Sequence, residues 1–372
     1  MKLWLFYANA GGGHRRPADA VKEELERKYG AQIEAKLVDA IGDNSPFSRI
    51  FLEKGYSFLI DFAPWLYRII YEISKIKAIM VLENFAAILN QKNYFIKKLQ
   101  VERPDKIVAF FYLAGPLIEA IRALKLNIPI TFIITDPFTT HPFWFLYKNN
   151  KFIVLSEQVK AQALRAGINE RNVVVFPPII HRKFKLAPTS DRKREFCAKF
   201  NLDFDKKMIL LIGGGYGLPK GKQALKILAE SDIDAQYIVA CGRNKLLQRN
   251  VEKYKKNHPE KKIITFSFVD FVEDMIAASD LVIGKAGASV MMETLLLKKP
   301  LVIINYIWGQ EGGNVDFVVK NNLGFFEPKL SNLPFLVKEI FSGRKSIDEE
   351  KSNLLESGTE KIAEYIYTKT GN

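Results

Sequence analysis

Met208-Ile209-Leu210-Leu211-Ile212-Gly213-Gly214-Gly215-Tyr216-Gly217 is an unbroken apolar run followed at once by a glycine-rich turn. Five consecutive apolar residues suit a strand covered on both faces, as in a parallel sheet. A helix is expected from about Lys222, so main-chain amides and a helix N-terminus converge after the strand, an arrangement that suits a diphosphate. The chain opens with the same grammar: the run Leu3 to Ala8 leads into Asn9-Ala10-Gly11-Gly12-Gly13-His14-Arg15-Arg16-Pro17, with Pro17 placed for a first helical turn. This first glycine tract does not end in Gly-Lys-Ser/Thr and does not spell G-x-G-x-x-G, so it is neither a Walker loop nor a dinucleotide fingerprint.

Working outward, short apolar runs recur at 107–112, 128–134, 152–155 and 173–176, then at 237–240, 263–266, 281–283 and 301–304, with helical patterns between them. This alternation predicts an α/β protein of two doubly wound parallel-sheet domains. Pro177-Pro178 and the segment Ala187 to Ser190 interrupt the rhythm and mark a hinge. The expected division is 1–185, 186–355 and a C-terminal helix 356–372 free to return to the first domain.

The length of 372 residues allows two or three domains. Hydrophobic residues at 48% and charged residues at 26% exclude wholesale disorder and fibrous repeats. Two cysteines, Cys197 and Cys241, supply neither a disulfide framework nor a zinc site. The apolar start stops at Asn9 and reads as a strand rather than a signal peptide, and charges interrupt every apolar stretch well short of the roughly 20 residues a spanning helix needs. The net charge of +14 is uneven, about +10 before residue 188 and +4 after it. An anionic partner for the first half, nucleic acid or an anionic membrane, is one reading, and a solvated basic surface is the other.

Residues 45–100 break the alternation. Eleven aromatics and eight Lys or Arg stand there against four acids, at helical spacing. Phe58, Phe62, Trp65, Leu66 and Ile69 mark one apolar helix face, and Arg68, Lys75, Lys77, Lys92, Lys97 and Lys98 supply positive charge. Such an insertion either lies in a membrane interface or packs its aromatics onto its own domain.

Among candidate chemical groups, His14 sits in a glycine loop at the carboxyl edge of the first sheet, where open α/β sheets bind ligands. Its ordinary pKa of about 6.5 suits a general base, the alternative being a histidine that caps the loop. Lys285-Ala286-Gly287-Ala288-Ser289 follows a buried strand and leads to Glu293, a carboxylate able to accept two ribose hydroxyls or simply a solvated side chain. Trp308-Gly309-Gln310-Glu311-Gly312-Gly313-Asn314 crowds hydrogen-bonding side chains beside glycines, as a sugar site requires and as a polar loop also can.

In order, Gly11-Gly12-Gly13-His14-Arg15, Thr135-Asp136, His141-Pro142-Phe143-Trp144-Phe145, Cys241-Gly242-Arg243-Asn244, Lys285-Ala286-Gly287 and Gly309-Gln310-Glu311-x-x-Asn314 resemble glycosyltransferase family 28, in particular monogalactosyldiacylglycerol synthases and processive diacylglycerol glucosyltransferases. The resemblance implies a GT-B fold, two Rossmann-like domains facing a central cleft, and departure of the diphosphate without a metal or other cofactor. It implies His14 as catalytic base. Gly13, Gly213, Gly214, Gly215, Gly217, Arg243, Gly287, Ala288, Glu293 and Asn314 would hold the donor, with Val272 and Met275 at the uracil and Gln310 and Glu311 on the hexose. Phe62, Trp65, Lys97, Lys98, Asp136, His141 and Trp144 are candidates for the acceptor or membrane side. Ala288-Ser289 stands where plant galactosyltransferases read Pro-Gly, and Tyr216 replaces a commonly acidic residue, so donor identity stays open between galactose and glucose.

The resulting expectation is an inverting transferase moving a hexose from a UDP-hexose to diacylglycerol, peripheral on the cytoplasmic face of an anionic membrane and without a nucleic-acid partner. Its rivals are a related transferase with another lipid or polyprenyl-linked acceptor, and a non-catalytic binder of anionic lipid.

Overall fold

The computed structural model describes residues 1–8, 12–41, 59, 63–185 and 189–369. Two compact units emerge, one formed by residues 1–181 with 308–310 and the segment from Ser357 onward, the other by residues 182–307 and 311–356.

The first unit runs β1 (Lys2–Tyr7), α1 (Arg15–Tyr29), β2 (Glu34–Asp39), α2 (Pro64–Ser74), α3 (Lys77–Glu102), β3 (Lys106–Ala109), α4 (Gly115–Ala123), β4 (Ile130–Ile133), β5 (Lys151–Val154), α5 (Glu157–Arg165) and β6 (Val173–Val175). All six strands are parallel, in the order β2-β1-β3-β4-β5-β6. Strand order therefore reverses between β1 and β3, and the loops leaving those strands diverge over a crevice at the carboxyl edge. Phe6, Phe132 and Phe152 fill one face of the sheet, and Leu3, Leu5, Phe110 and Ile153 the other.

The second unit runs α6 (Thr189–Phe200), β7 (Lys207–Ile212), α7 (Gly221–Ala229), β8 (Ala235–Gly242), α8 (Lys245–Asn257), β9 (Ile263–Ser267), α9 (Val272–Ala278), β10 (Leu281–Lys285), α10 (Ala288–Leu296), β11 (Leu301–Asn305), α11 (Gly312–Lys320), β12 (Phe325–Phe326), α12 (Leu333–Phe341) and α13 (Glu349–Asn353). Its strand order, β12-β11-β10-β7-β8-β9, reverses between β7 and β10. This is the Rossmann order, and its binding crevice opens between the loops after those two strands. Cys197 and Cys241 are both free and buried.

A last helix, α14 (Thr359–Lys369), belongs to the first unit. Ile362, Ala363 and Ile366 complete the core that holds Leu3, Val21 and Leu25, and Tyr367 stacks on Tyr29 with ring centres 3.7 Å apart. The Ile180 amide donates to the Thr359 hydroxyl, and the Ser357 hydroxyl donates to the Ile180 carbonyl.

The helical insertion is built unusually. In α2, Tyr67 and Tyr71 turn inward, while Trp65 is 66% exposed and Ile69, Ile70 and Ile73 also face out. In α3 as far as Gln91 the inward positions are Met80, Asn84 and Gln91, and the outward ones include Val81, Leu82, Phe85 and Leu89. Much of the outward surface here is apolar, while polar side chains occupy inward positions, the reverse of a helix packed for water. The expected apolar face at Trp65 and Ile69 thus points away from the unit. Phe58 and Phe62 lie outside the described residues.

Candidate active site

At the first switch point, α1 begins directly after His14, whose ring lies half-buried among residues that follow β3 and β4. Its Nδ1 is 3.1 Å from the Thr135 hydroxyl. Phe111 meets the ring edge-on at 5.1 Å, with Trp144 at 6.1 Å and Tyr112 at 6.5 Å between ring centres. This apolar enclosure lowers the pKa of His14 to about 4, against the opposing effect of a hydrogen bond to the Phe110 backbone. The ordinary value near 6.5 therefore does not apply, and the imidazole is neutral at physiological pH. Among the described residues, nothing comes within 4 Å of where a Cβ on Gly13 would sit.

The acceptor candidates after β4 form the frame of this pocket. Trp144 is buried and donates its indole N–H to Asp136 Oδ2 at 3.2 Å. His141 accepts the Phe143 amide at Nδ1, 3.2 Å, and meets the Ser74 hydroxyl through Nε2 at 3.1 Å. Because Ser74 Oγ donates to the Tyr71 carbonyl, it accepts from His141, which fixes the neutral Nε2–H tautomer. Burial, with Lys75 nearby, lowers the pKa of His141 to about 4. His141 and Trp144 thus brace the loop rather than present themselves outward. Lys98 is also committed, 3.2 Å from Glu102, which pairs with Lys36 as well, whereas Lys97 is exposed.

At the second switch point the glycine loop folds on itself. Gly214 and Gly217 have φ of +85° and +75°, and a Cβ on Gly213 would lie 2.1 Å from the Gly217 carbonyl oxygen. The Arg243 amide donates to the Gly215 carbonyl at 2.8 Å, tying the turn after β8 to this loop. The Arg243 guanidinium lies 4.6 Å over the ring of Phe268, an exposed aromatic that the sequence did not single out. Val272 and Met275 are both buried, so their side chains line the core of α9.

Across the crevice, Gly287 caps α10 and Ala288 begins it, with Glu293 buried on the same helix. Asn314 is buried and donates to the Ala286 carbonyl at 2.7 Å, fastening the turn after β10 to α11. Glu311 is 8% exposed and doubly bound: Oε1 is 2.5 Å from the Lys285 ammonium, and Oε2 accepts the Ile307 amide at 2.8 Å. Gln310 groups with the first unit, beside Trp308 and Gly309. Sequence reasoning assigns no role to Phe111, Tyr112 or Lys285. Their signals were an aromatic run leaving a buried strand and a lysine closing another. Among the described residues, no three His, Cys, Asp or Glu side chains converge as metal ligands would.

Two α/β units, each with a crevice at its switch point, have the architecture of the GT-B fold. The profile of the monogalactosyldiacylglycerol (MGDG) synthase family matches residues 14–180, and that of the glycosyltransferase family 28 C-terminal domain matches residues 209–365. The first unit thus carries an MGDG synthase family domain and the second a glycosyltransferase family 28 C-terminal domain. It is 28% identical over 361 residues to a probable chloroplastic MGDG synthase of Glycine max, covering 91% of this chain and 65% of that protein. It is 27% identical to MGDG synthase 1 of Arabidopsis thaliana, covering 91% and 64%. The chain thus spans just under two thirds of the length of these relatives. Among solved structures, MurG of Acinetobacter baumannii superposes with a TM-score of 0.58 at 15% identity over 99% of both chains. Sucrose-phosphate synthase of Thermosynechococcus elongatus does so with 0.62 at 13%, covering 99% and 97%. These likenesses establish the fold. No helix among the described residues is long and apolar enough to cross a membrane.

Proposed function

We propose that the protein transfers a hexose, galactose or glucose, from a UDP-sugar to diacylglycerol with inversion, yielding a β-glycolipid at a membrane surface. The observation that carries this reading is the placement of His14. It is a neutral imidazole at the first switch point, held through Nδ1 by Thr135, in a unit of the MGDG synthase type. With the Nδ1 proton directed at the Thr135 hydroxyl, Nε2 takes the proton of the glycerol hydroxyl. The freed oxygen attacks the anomeric carbon as the bond to the diphosphate oxygen breaks, and UDP leaves with the electron pair. The Gly213 to Gly217 loop and the turn into α7 meet the growing diphosphate charge, an electrostatic contribution commonly among the largest in such reactions. Glu293 holds the ribose and the Arg243–Phe268 pair flanks the base.

The outward ridge of α2 and α3 supports a lipid-borne acceptor. Burying one large apolar side chain contributes about 1.5–3 kcal/mol, against about 1 kcal/mol for a basic residue near an anionic surface. Several such side chains on the ridge therefore outweigh Lys97 and Lys98, which lie about 18 Å farther along α3 than Phe85. We place the protein peripherally, on the cytoplasmic face, by this ridge. The reading is tested by whether UDP, but not ADP or GDP, raises the melting temperature, and by the anomeric configuration of lipid formed from UDP-galactose or UDP-glucose on diacylglycerol vesicles. No response to any nucleotide would favour a non-catalytic lipid binder.

A further inference from the structure

Lys285 is the last residue of β10, which lies beside β7 with Gly284 opposite Ile212. Ile212 is the last residue before the glycine loop, so Lys285 leaves β10 at the carboxyl edge where that loop begins. A lysine closing an otherwise apolar strand has no role in the sheet. Here the fold spends three further features on it. Glu311, buried in the second unit, places Oε1 2.5 Å from the Lys285 Nζ. The other oxygen of that carboxylate is fixed by the Ile307 amide at 2.8 Å, so the acid cannot swing away. Gly287 lacks a side chain where one would crowd the pair: a Cβ there would lie 3.3 Å from Lys285 Cε and 3.5 Å from both Lys285 Nζ and Glu311 Oε1. Of the two partners the lysine is the more open, 22% against 10% of its side chain, so the pair turns its positive end outward.

Resting on the donor-site reading above, we infer that Lys285 binds the diphosphate of the UDP-sugar, and that Glu311 positions Lys285 rather than binding hexose hydroxyls. An ammonium carries three donors and Glu311 occupies one, which leaves two for phosphate oxygens. A cation fixed in advance, in a partly dry crevice, gains strength as negative charge accumulates on the departing diphosphate and needs no rearrangement at that moment. The family resemblance implies Glu311 on the hexose; the geometry gives it two bonds within the protein, each of which a sugar hydroxyl would have to compete with.

The two assignments separate in calorimetric titrations of the full chain with UDP, uridine and a UDP-hexose. Lys285→Met lowers UDP affinity roughly 10- to 100-fold, the scale of a lost charge-assisted hydrogen bond, and leaves uridine affinity unchanged. Lys285→Arg retains part of the UDP affinity. Glu311→Gln, which keeps the side-chain shape, weakens UDP and UDP-hexose by the same factor because it acts through the lysine. Undiminished UDP binding by Lys285→Met overturns the inference. So does a Glu311→Gln protein that binds UDP normally and loses only UDP-hexose, since the acid would then be a sugar ligand. Should Lys285→Met fail to fold, the Glu311→Gln comparison decides alone. Wild-type protein that binds no UDP overturns the donor site itself, a result distinct from wild-type binding that the substitutions leave untouched.

Discussion

His14 Nδ1 and the Thr135 hydroxyl stand 3.1 Å apart although 121 positions separate them in the chain. The contact spans the loops after β1 and β4 and engages Nδ1 within the protein. Removing the ring while leaving the second unit intact separates chemistry from donor affinity. His14→Ala should lower turnover by a factor on the order of 100 to 10,000, with UDP affinity by calorimetry unchanged. Undiminished turnover would exclude His14 as the base.

Because burial holds the His14 pKa at about 4, the ring accepts a proton at all pH values above that. The acidic limb of kcat/KM should therefore lie well below 6.5 and move toward 4. Thr135→Val, which removes the partner of Nδ1, should lower kcat at every pH. An acidic limb at 6.5 would mean that the ring is solvated in the working enzyme.

Stability should also depend on pH through the neutral histidines. His14 and His141 have folded pKa values of about 4, below their unfolded value, so between pH 6.5 and 4 the unfolded chain binds more protons. Their contribution is complete above pH 6.5 and is lost as pH falls through 4. The melting temperature should drop across that window, and His141→Asn, which can still accept the Phe143 amide, should flatten the drop. A drop of the same size in the variant would remove His141 as a contributor.

Glu293 is buried on α10, and its proposed partners are ribose hydroxyls. Glu293→Gln should weaken UDP by about 1–3 kcal/mol. A 2′,3′-dideoxy analogue of UDP should bind both proteins alike. Equal loss for the dideoxy analogue would show that the residue only supports the helix.

Vesicle co-sedimentation tests the ridge. Leu82→Ser with Phe85→Ser should reduce binding to vesicles more than Lys97→Glu with Lys98→Glu does, and both pairs should spare UDP affinity. The reverse ranking would make charge the anchor.

The strands were legible wherever burial on both faces leaves an uninterrupted apolar run, as at Leu3 to Ala8 and Met208 to Ile212. β2 escaped notice because it is an edge strand whose burial alternates, and β12 because it has only two residues. At the candidate site, glycine loops and His14 announce themselves through rare local grammar. The enclosure that shifts the histidine does not, since Phe111 comes from the loop after β3 and Thr135 and Trp144 from the loop after β4, both far from His14 in the chain. Nor does sequence spacing reveal that Glu311 reaches back to Lys285, for a carboxylate's choice between ligand and neighbour is made only by the packing around it. The outward direction of Trp65 was equally hidden, because periodicity defines a helix face without saying what it meets.

The placement of α14 bears on how the protein is made. The core of the first unit includes Ile362, Ala363 and Ile366, encoded some 340 codons after Leu25, which they touch through the same cluster. During synthesis, the opening half emerges with that side of its sheet uncovered and stays so until the final helix clears the ribosome. A nascent chain stalled before residue 359 would present Leu3, Val21 and Leu25 to chaperones.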